Sequence, residues 1–425
     1  MSITPEGYLP RVIDAQIDQC LRMFGAVEVA GTKWCGKTWT ALAHGASVTR
    51  LDDASDRNPA RADPNLALEG ERPHVIDEWQ RVPTVWDAVR RKTDEQRRLR
   101  GAWILTGSST PSRERPEHSG AGRIGRLRMF PMTLLESGDS TGTVSLAALF
   151  EGKFTPATSP MDTHRLLEVT CRGGWPDAIE DDAETAQAIA REYLNLFYTE
   201  SAPKEGKDPD LCERLVASIA RNLGQATRYE TLISDMAGET QAMGENTLAS
   251  YLAMLRGQYL IDEIPGWVPP ARSPKRLRVK PKRYLADPSL AASQLGMSPT
   301  SLLHDWQTFG LLFENLVMRD LEVYARSLHG VSRVPVRYYR DDAGLEVDAI
   351  IEMADGRWAA FEIKTSEDKV TDAISSLRRL RKKLCENPSS RTRQPEFMAV
   401  LCGVGRHAYE AEKNIYVIPV ACLGV

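Results

Sequence analysis

The sequence lacks any apolar run near the roughly 18 residues that a bilayer-spanning helix needs. Its opening residues, Met-Ser-Ile-Thr-Pro-Glu-Gly, carry neither a basic segment nor an apolar one, so they do not read as a secretory signal. Cysteine is sparse and unpatterned. Cys20, Cys35, Cys171, Cys212, Cys385, Cys402 and Cys422 form an odd set, too scattered for a CxxC zinc pair or a disulfide framework. These absences point to a reducing cytoplasm, no membrane partner, and oxygen ligands for any metal. An excess of charge is missing too. Lys and Arg number 54 against 58 Asp and Glu, a net charge of −4, so no global positive field announces nucleic acid and any such partner needs a local patch. What is present is an ordinary globular composition, 42% hydrophobic and 26% charged, which excludes whole-chain disorder. At about 150 residues per domain, the 425 residues allow two to four domains.

The first ~150 residues alternate short apolar runs with helical patterns, the signature of an α/β sheet. Ala26–Val29, Ser47–Leu51, His74–Ile76 and Trp103–Thr106 read as strands, separated by polar stretches such as 52–64 and 108–121. From about Asp162 to Asp262 the pattern is helical. A Pro/basic stretch from Trp267 reads as a linker, followed by a helix over Gly310–Ser327, a hairpin, and a last apolar strand at Ile415–Val420.

Gly31-Thr-Lys-Trp-Cys-Gly36-Lys37-Thr38 matches G-x-x-x-x-G-K-[ST] in full, between a strand and a helix. Glycines let backbone N–H groups curl around phosphates, and the helix N-terminus adds its dipole. Lys37 would neutralise the β- and γ-phosphates of ATP, and the Thr38 hydroxyl would ligate Mg²⁺. The strand His74-Val-Ile-Asp77-Glu78 supplies the carboxylates an NTPase needs: Asp77 to hold Mg²⁺ through water, Glu78 to polarise the attacking water. A third strand ends in Thr106-Gly-Ser108-Ser109, hydroxyls placed to sense the γ-phosphate; Arg123 and Arg126 follow as candidate arginine fingers.

Tyr8-Leu-Pro-Arg11, the P-loop, Ile76-Asp77-Glu78-Trp-Gln, Leu105-Thr-Gly-Ser-Ser109 and Gly122-Arg123…Pro131 together resemble bacterial and archaeal predicted AAA-type ATPases that carry a C-terminal domain of unknown function. The resemblance runs nearly end to end. It implies an additional-strand P-loop core like that of AAA and STAND ATPases, then a helical lid, with Glu78 and Arg123 as catalytic glutamate and arginine and with possible homo-oligomers. Trp34-Cys35 departs from the smaller or basic residues of many members.

Between Leu211 and Trp267, helices at Leu215–Asn222 and Thr247–Arg256 precede an alternating strand from Tyr259, the outline of a winged helix-turn-helix. A DNA reader would use Asn246, Ser250 and Arg256. With Glu245 and a single arginine the helix attracts phosphate weakly, so a spacer or subunit contact fits better.

At the C-terminal end, two apolar strands flank Ala354-Asp355-Gly356. A two-residue turn sets Asp348 opposite Ile363; a three-residue loop with Gly356 left-handed sets it opposite Glu362, with Lys364 on the same face. Asp348 and Glu362 would then hold Mg²⁺ while Lys364 orients or deprotonates water, a cluster suited to phosphodiester hydrolysis. Glu314 lies beside the buried stripe 309, 312, 313, 316, 317 and 321 of the preceding helix, where a metal or Lys364 would offset its burial. Helix Glu, then Asp, then Glu-x-Lys resembles the PD-(D/E)xK nuclease fold. An exposed salt-bridge ladder is the plainer alternative. Basic stretches at 272–283 and at Arg378-Arg379-Leu-Arg381-Lys382-Lys383 flank the cluster and suit a phosphate backbone.

The expected organisation is an AAA-like P-loop NTPase core over 1–160, a helical lid over 161–205, a winged-helix-like segment over 206–268, and a restriction-endonuclease-like α/β domain over 269–425. The expected function is an ATPase whose nucleotide state controls an Mg²⁺-dependent nuclease-like domain acting on DNA or RNA. The alternative is an ATP-dependent switch or scaffold, of signalling or toxin–antitoxin type, whose nuclease-like domain only binds.

Overall fold

The computed structural model describes residues 3–96, 98–108, 120–237, 244–269, 279–386 and 392–425. The chain divides into two compact units, one of Met1–Pro131 with Ala253–Leu260, the other of Met132–Leu252 with Ile261–Val425.

The first unit runs α1 (Asp14–Met23), β1 (Ala26–Gly31), α2 (Lys37–Ala43), β2 (Ser47–Arg50), α3 (Ala54–Ala62), β3 (His74–Asp77), α4 (Thr84–Glu95), β4 (Trp103–Gly107) and β5 (Ile124–Met129). All four expected strands are present. They form a parallel sheet in the order β2-β3-β4-β1-β5. Strand β4 thus lies between the P-loop strand and the Asp77 strand. Helices on both faces explain the continuous apolar runs. Ala26, Ile76 and Leu105 pack with Trp86 and Val89 of α4, while Val27, Val29, Val75 and Ile104 pack with Ile17 of α1 and with Ala41 and Leu42 of α2.

The second unit begins with β6 (Val144–Ser145), α5 (Leu146–Phe150), β7 (Ala157–Thr158), α6 (Thr163–Arg172), α7 (Ala183–Leu196) and α8 (Ala202–Lys204), the last two joined by a π-helical turn. Then come α9 (Pro209–Arg221), α10 (Tyr229–Ala237), α11 (Glu245–Gly257, its last five residues counted with the first unit), β8 (Ile261–Ile264) and β9 (Lys282–Leu285). The expected winged-helix outline gains a third helix, α10. Its second strand, β9, pairs antiparallel with β8 from beyond the stretch read as a linker. That stretch also starts later than expected, because Trp267 is buried with its ring 4.9 Å from that of Trp358. Of the basic run at 272–283, residues 272–278 lie outside the described residues, as does Ser109.

The remaining elements are α12 (Pro288–Gln294), α13 (Pro299–Leu302), α14 (Trp306–Ser327), β10 (Val331–Arg340), β11 (Glu346–Met353), β12 (Trp358–Ser366), α15 (Val370–Cys385), β13 (Phe397–Val404), β14 (His407–Glu412), β15 (Ile415–Pro419) and β16 (Leu423–Gly424). A seven-stranded sheet has the order β10-β11-β12-β13-β15-β14-β7. Its first three strands are an antiparallel meander; β12, β13 and β15 are parallel. The amphipathic α15 buries Ala373, Leu377 and Leu380 against Ile350, Ala360, Met398 and Val400. The stripe of α14 is buried as its spacing predicts, from Phe309 to Leu321.

One domain boundary needs correction. Residues 132–160, read as the end of the P-loop domain, belong to the second unit. There β7 pairs with β14 and β6 with β16. Two-residue strands leave too little periodicity to show this in the sequence.

Candidate functional sites

In the first unit the P-loop joins β1 to α2. Gly31 has no room for a side chain, since a Cβ there would sit 2.1 Å from the Met129 carbonyl. Gly36, at φ +97°, makes the left-handed turn into α2. Trp34 takes a left-handed conformation (φ +63°) with its ring exposed, while Cys35 is fully buried. The departure at these two residues is thereby accommodated: one points outward and the other fills the core. Lys37 is buried and donates to the Thr32 carbonyl at 2.6 Å, inside its own loop.

The parallel register places the ends of β3 and β4 beside this loop. Thr38 Oγ1 donates to Asp77 Oδ1 at 2.9 Å, and Thr106 Oγ1 donates to the same oxygen. Glu78 is left-handed (φ +57°), which turns its carboxylate toward Ser108 Oγ at 3.2 Å and Gln80 Nε2 at 2.5 Å. The expected residues Gly31, Gly36, Lys37, Thr38, Asp77, Glu78 and Ser108 therefore meet in one place. Thr38 and Asp77 present two oxygen donors side by side, a donor set that suits Mg²⁺ completed by phosphate and water.

Arg123 is not among them. It precedes β5, whose register pairs Ile124 with Ala26 and Met129 with Gly31. At ~3.3 Å per residue Arg123 lies roughly 20 Å from its own P-loop, at the opposite end of the sheet. There it pairs with Asp94 at 2.6 Å. Arg126 is likewise engaged, with Glu28 at 3.4 Å and over the Trp86 ring at 4.7 Å. Neither joins the residues that meet at the P-loop in this structure.

Arg11 does reach the loop. Its guanidinium, 7% exposed, donates to the Cys35 carbonyl at 2.8 Å and to the Phe130 carbonyl at 2.9 Å. Beside it Tyr8 Oη donates to Asp14 at 2.7 Å and accepts from Thr40 Oγ1 of α2 at 3.3 Å. Burial opposes ionisation of Asp14, but hydrogen bonds from His44, the Arg11 amide and Tyr8 hold its carboxyl below the usual range. The Tyr8–Arg11 motif thus ties the segment before α1 to the P-loop. The sequence marked it only through the family resemblance. Gln80 and Thr106 carried no signal beyond lying beside Glu78 and Ser108.

In the second unit the hairpin loop is three residues, 354–356, with Gly356 at φ +84°. The register Ala349↔Phe361, carried on by one residue, sets Asp348 opposite Glu362 as the longer loop predicts. Lys364 Nζ lies 2.6 Å from Glu362 Oε2 and 3.3 Å from Asp348 Oδ2; the latter oxygen also accepts from the Ile363 amide at 2.8 Å. These groups are mostly buried, so an exposed salt-bridge ladder is excluded. Burial and the Asp348 charge push the Glu362 carboxyl up to about 7, even with Lys364 beside it. Burial also opposes Asp348 ionisation, but Lys364 and Lys282 together hold its carboxyl below the ordinary value.

Lys282 was not foreseen as a member. From the start of β9 its buried ammonium reaches Glu346 at 2.7 Å, Glu314 at 3.4 Å and Asp348 at 3.9 Å. Tyr284, two residues along, donates to Glu314 Oε1 at 2.6 Å. Glu314 is thus compensated by Lys282 and Tyr284 rather than by Lys364. Glu362 Oε1 is buried without a hydrogen-bond partner, the kind of atom a metal would satisfy. Yet among the described residues no group of three or more His, Cys, Asp or Glu is arranged to hold a metal ion. The set Glu314, Asp348 and Glu362 does not fit the expected Mg²⁺, because lysine ammoniums stand between the carboxylates.

Residues 24–137 match the family described as an AAA domain, and 163–301 and 309–423 match two domains of unknown function, DUF8612 and DUF4143. Uncharacterized proteins of Mycobacterium bovis and Mycobacterium tuberculosis are each 23% identical to this chain over 380 residues, 85% of its length and 75% of theirs. Among solved structures, a Walker-type ATPase of Pyrococcus abyssi is 13% identical, covering 69% of this chain and 98% of its own, with a TM-score of 0.45. The Orc1 protein of Aeropyrum pernix, solved with DNA, is 12% identical over 71% of this chain and 97% of its own, with a TM-score of 0.22. The chain carries an AAA-type P-loop domain. Among the described residues no helix is long and apolar enough to cross a membrane.

Proposed function

We propose that the chain binds and hydrolyses ATP and works as a nucleotide-controlled switch, with its second unit engaging a partner rather than cleaving one. The meeting of Thr38, Asp77, Glu78 and Ser108 beside the P-loop carries this reading. On nucleotide binding, the Lys37 ammonium leaves the Thr32 carbonyl for the β- and γ-phosphates. Thr38 and Asp77 would hold Mg²⁺, which supplies charge neutralisation at the phosphates. Glu78 takes the proton of the attacking water, its carboxylate oriented by Gln80 and Ser108.

For the second unit, the succession α14-β10-β11-β12-α15-β13, with β12 and β13 parallel, supports the likeness to the PD-(D/E)xK nuclease fold. The lysine-filled cluster favours the binding version of that fold over the cleaving one, since folds keep their frame when chemistry is lost. Arg379 and Lys382, exposed on α15, suit a nucleic acid as the partner.

The test is ATP turnover and nucleotide binding by the full chain. Glu78→Gln is expected to retain ATP while turnover falls by about 10²–10⁴-fold, and Lys37→Ala to lose binding. Turnover by Glu78→Gln at the wild-type rate would refute the assigned base.

A further inference from the structure

Three carboxylates from two elements converge on one buried ammonium. Glu314 comes from α14, Glu346 and Asp348 from β11, and Lys282 Nζ stands 3.4, 2.7 and 3.9 Å from them. Lys282 is 2% exposed, so its charge is buried with its partners. Tyr284 projects from the same face of β9 and fixes Glu314. The Lys282 ammonium also lies 5.3 Å over the Tyr338 ring. A side chain held on several sides in this way is a fixed part of the cluster.

We propose that Lys282 is the built-in cation of this cluster: its ammonium occupies the place of a divalent metal among Glu314, Glu346 and Asp348, keeping the constellation metal-free, and its removal converts the cluster into a divalent-cation site. This goes beyond the nucleotide reading and does not depend on it. A divalent ion binds carboxylate oxygens at about 2.0–2.6 Å. An ion at that distance from these oxygens would lie close to the Lys282 ammonium and be repelled by it. Lys364 cannot take over, because it is already shared between Glu362 at 2.6 Å and Asp348 at 3.3 Å. Without Lys282, four acidic side chains face Lys364 and the half-exposed Arg340, which stands 3.7 Å from Glu346. That imbalance is relieved by protonation or by a cation, and oxygen-only donors select a hard divalent ion. Lys282 is the extra lysine of the cluster, and its origin on β9 makes the hairpin with β8 the structural source of this closure.

The experiment titrates Mn²⁺ into the nucleotide-free full chain and follows the loss of the free-ion electron paramagnetic resonance signal. Wild type, Asp348→Asn, Lys282→Met, Lys282→Arg and Lys282→Met with Asp348→Asn are compared. The proposal expects wild type and Asp348→Asn to bind alike, and Lys282→Met to gain one equivalent at least tenfold tighter. The double variant should lose that gain, and Lys282→Arg should resemble wild type. Binding at the P-loop contributes equally throughout and cancels. A wild-type site abolished by Asp348→Asn would overturn the proposal, as would a folded Lys282→Met without the gain. If Lys282→Met does not fold, Lys282→Gln replaces it, and wild type against Asp348→Asn still decides whether the native cluster holds metal. None of these readouts depends on ATP turnover, so they stand or fall apart from the proposed switch.

Discussion

Replacing Arg11 by Met tests whether the segment before α1 holds the P-loop in its binding form. Methionine keeps much of the side-chain length and removes the guanidinium. The Cys35 and Phe130 carbonyls then lose donors at 2.8 and 2.9 Å in a buried setting. A hydrogen bond to a charged group contributes about 1.5–3 kcal/mol, so the two together cost the first unit roughly 3–6 kcal/mol as an upper bound. The Cys35 bond bears directly on the loop, because the next residues are the left-handed Gly36 and Lys37. If that one bond becomes an ordering cost at nucleotide binding, affinity weakens about 10- to 150-fold. Lys at position 11 reaches one carbonyl but not both, so Arg11→Lys should fall between. Binding of a fluorescent ATP analogue and thermal unfolding of the full chain read the two effects. Lower stability with wild-type affinity would reduce Arg11 to a general brace, and wild-type behaviour in both would refute the role outright.

Arg319 is buried between Asp287 and Asp320, donating to each at 2.7 Å. Arg319→Met leaves two uncompensated carboxylates, and urea unfolding should show a loss of about 3–5 kcal/mol; a loss under 1 kcal/mol would mean that water replaces the guanidinium. Glu362 gives a pH prediction with a definite sign. Its carboxyl is raised from 4.5 to about 7, so the folded state holds the proton more tightly than the unfolded chain. Stability from this group is therefore present at low pH and is lost as pH rises through about 7. At about 1.4 kcal/mol per pH unit the full span is roughly 3 kcal/mol. Glu362→Gln should flatten the decline between about pH 4.5 and pH 7, and an unchanged slope in that variant would assign it to another group.

How far the sequence could be read follows from how local each feature is. The P-loop, the Asp77-Glu78 strand end and the hairpin register were legible because each is set within a few residues. Gly356 at φ +84° fixes the loop length, and the loop length alone puts Asp348 opposite Glu362. Arg123 was misplaced because motif proximity ignores strand direction. In a parallel sheet, the residue before a strand lies at the end opposite the P-loop, however close it stands to other motifs. Residues 132–160 were misassigned because what holds them is β-pairing to partners some 250 residues away, as for Thr158 with His407. Lys282 was hidden for both reasons. It was counted in a basic run that suggested phosphate, and its partners are 32, 64 and 66 positions further along the chain. A run of lysines and arginines read as one patch can thus include a residue of opposite meaning, turned inward by strand pairing. The direction of the β9 strand, which sends Lys282 and Tyr284 inward together, decides between a surface that attracts phosphate and a core that excludes a metal.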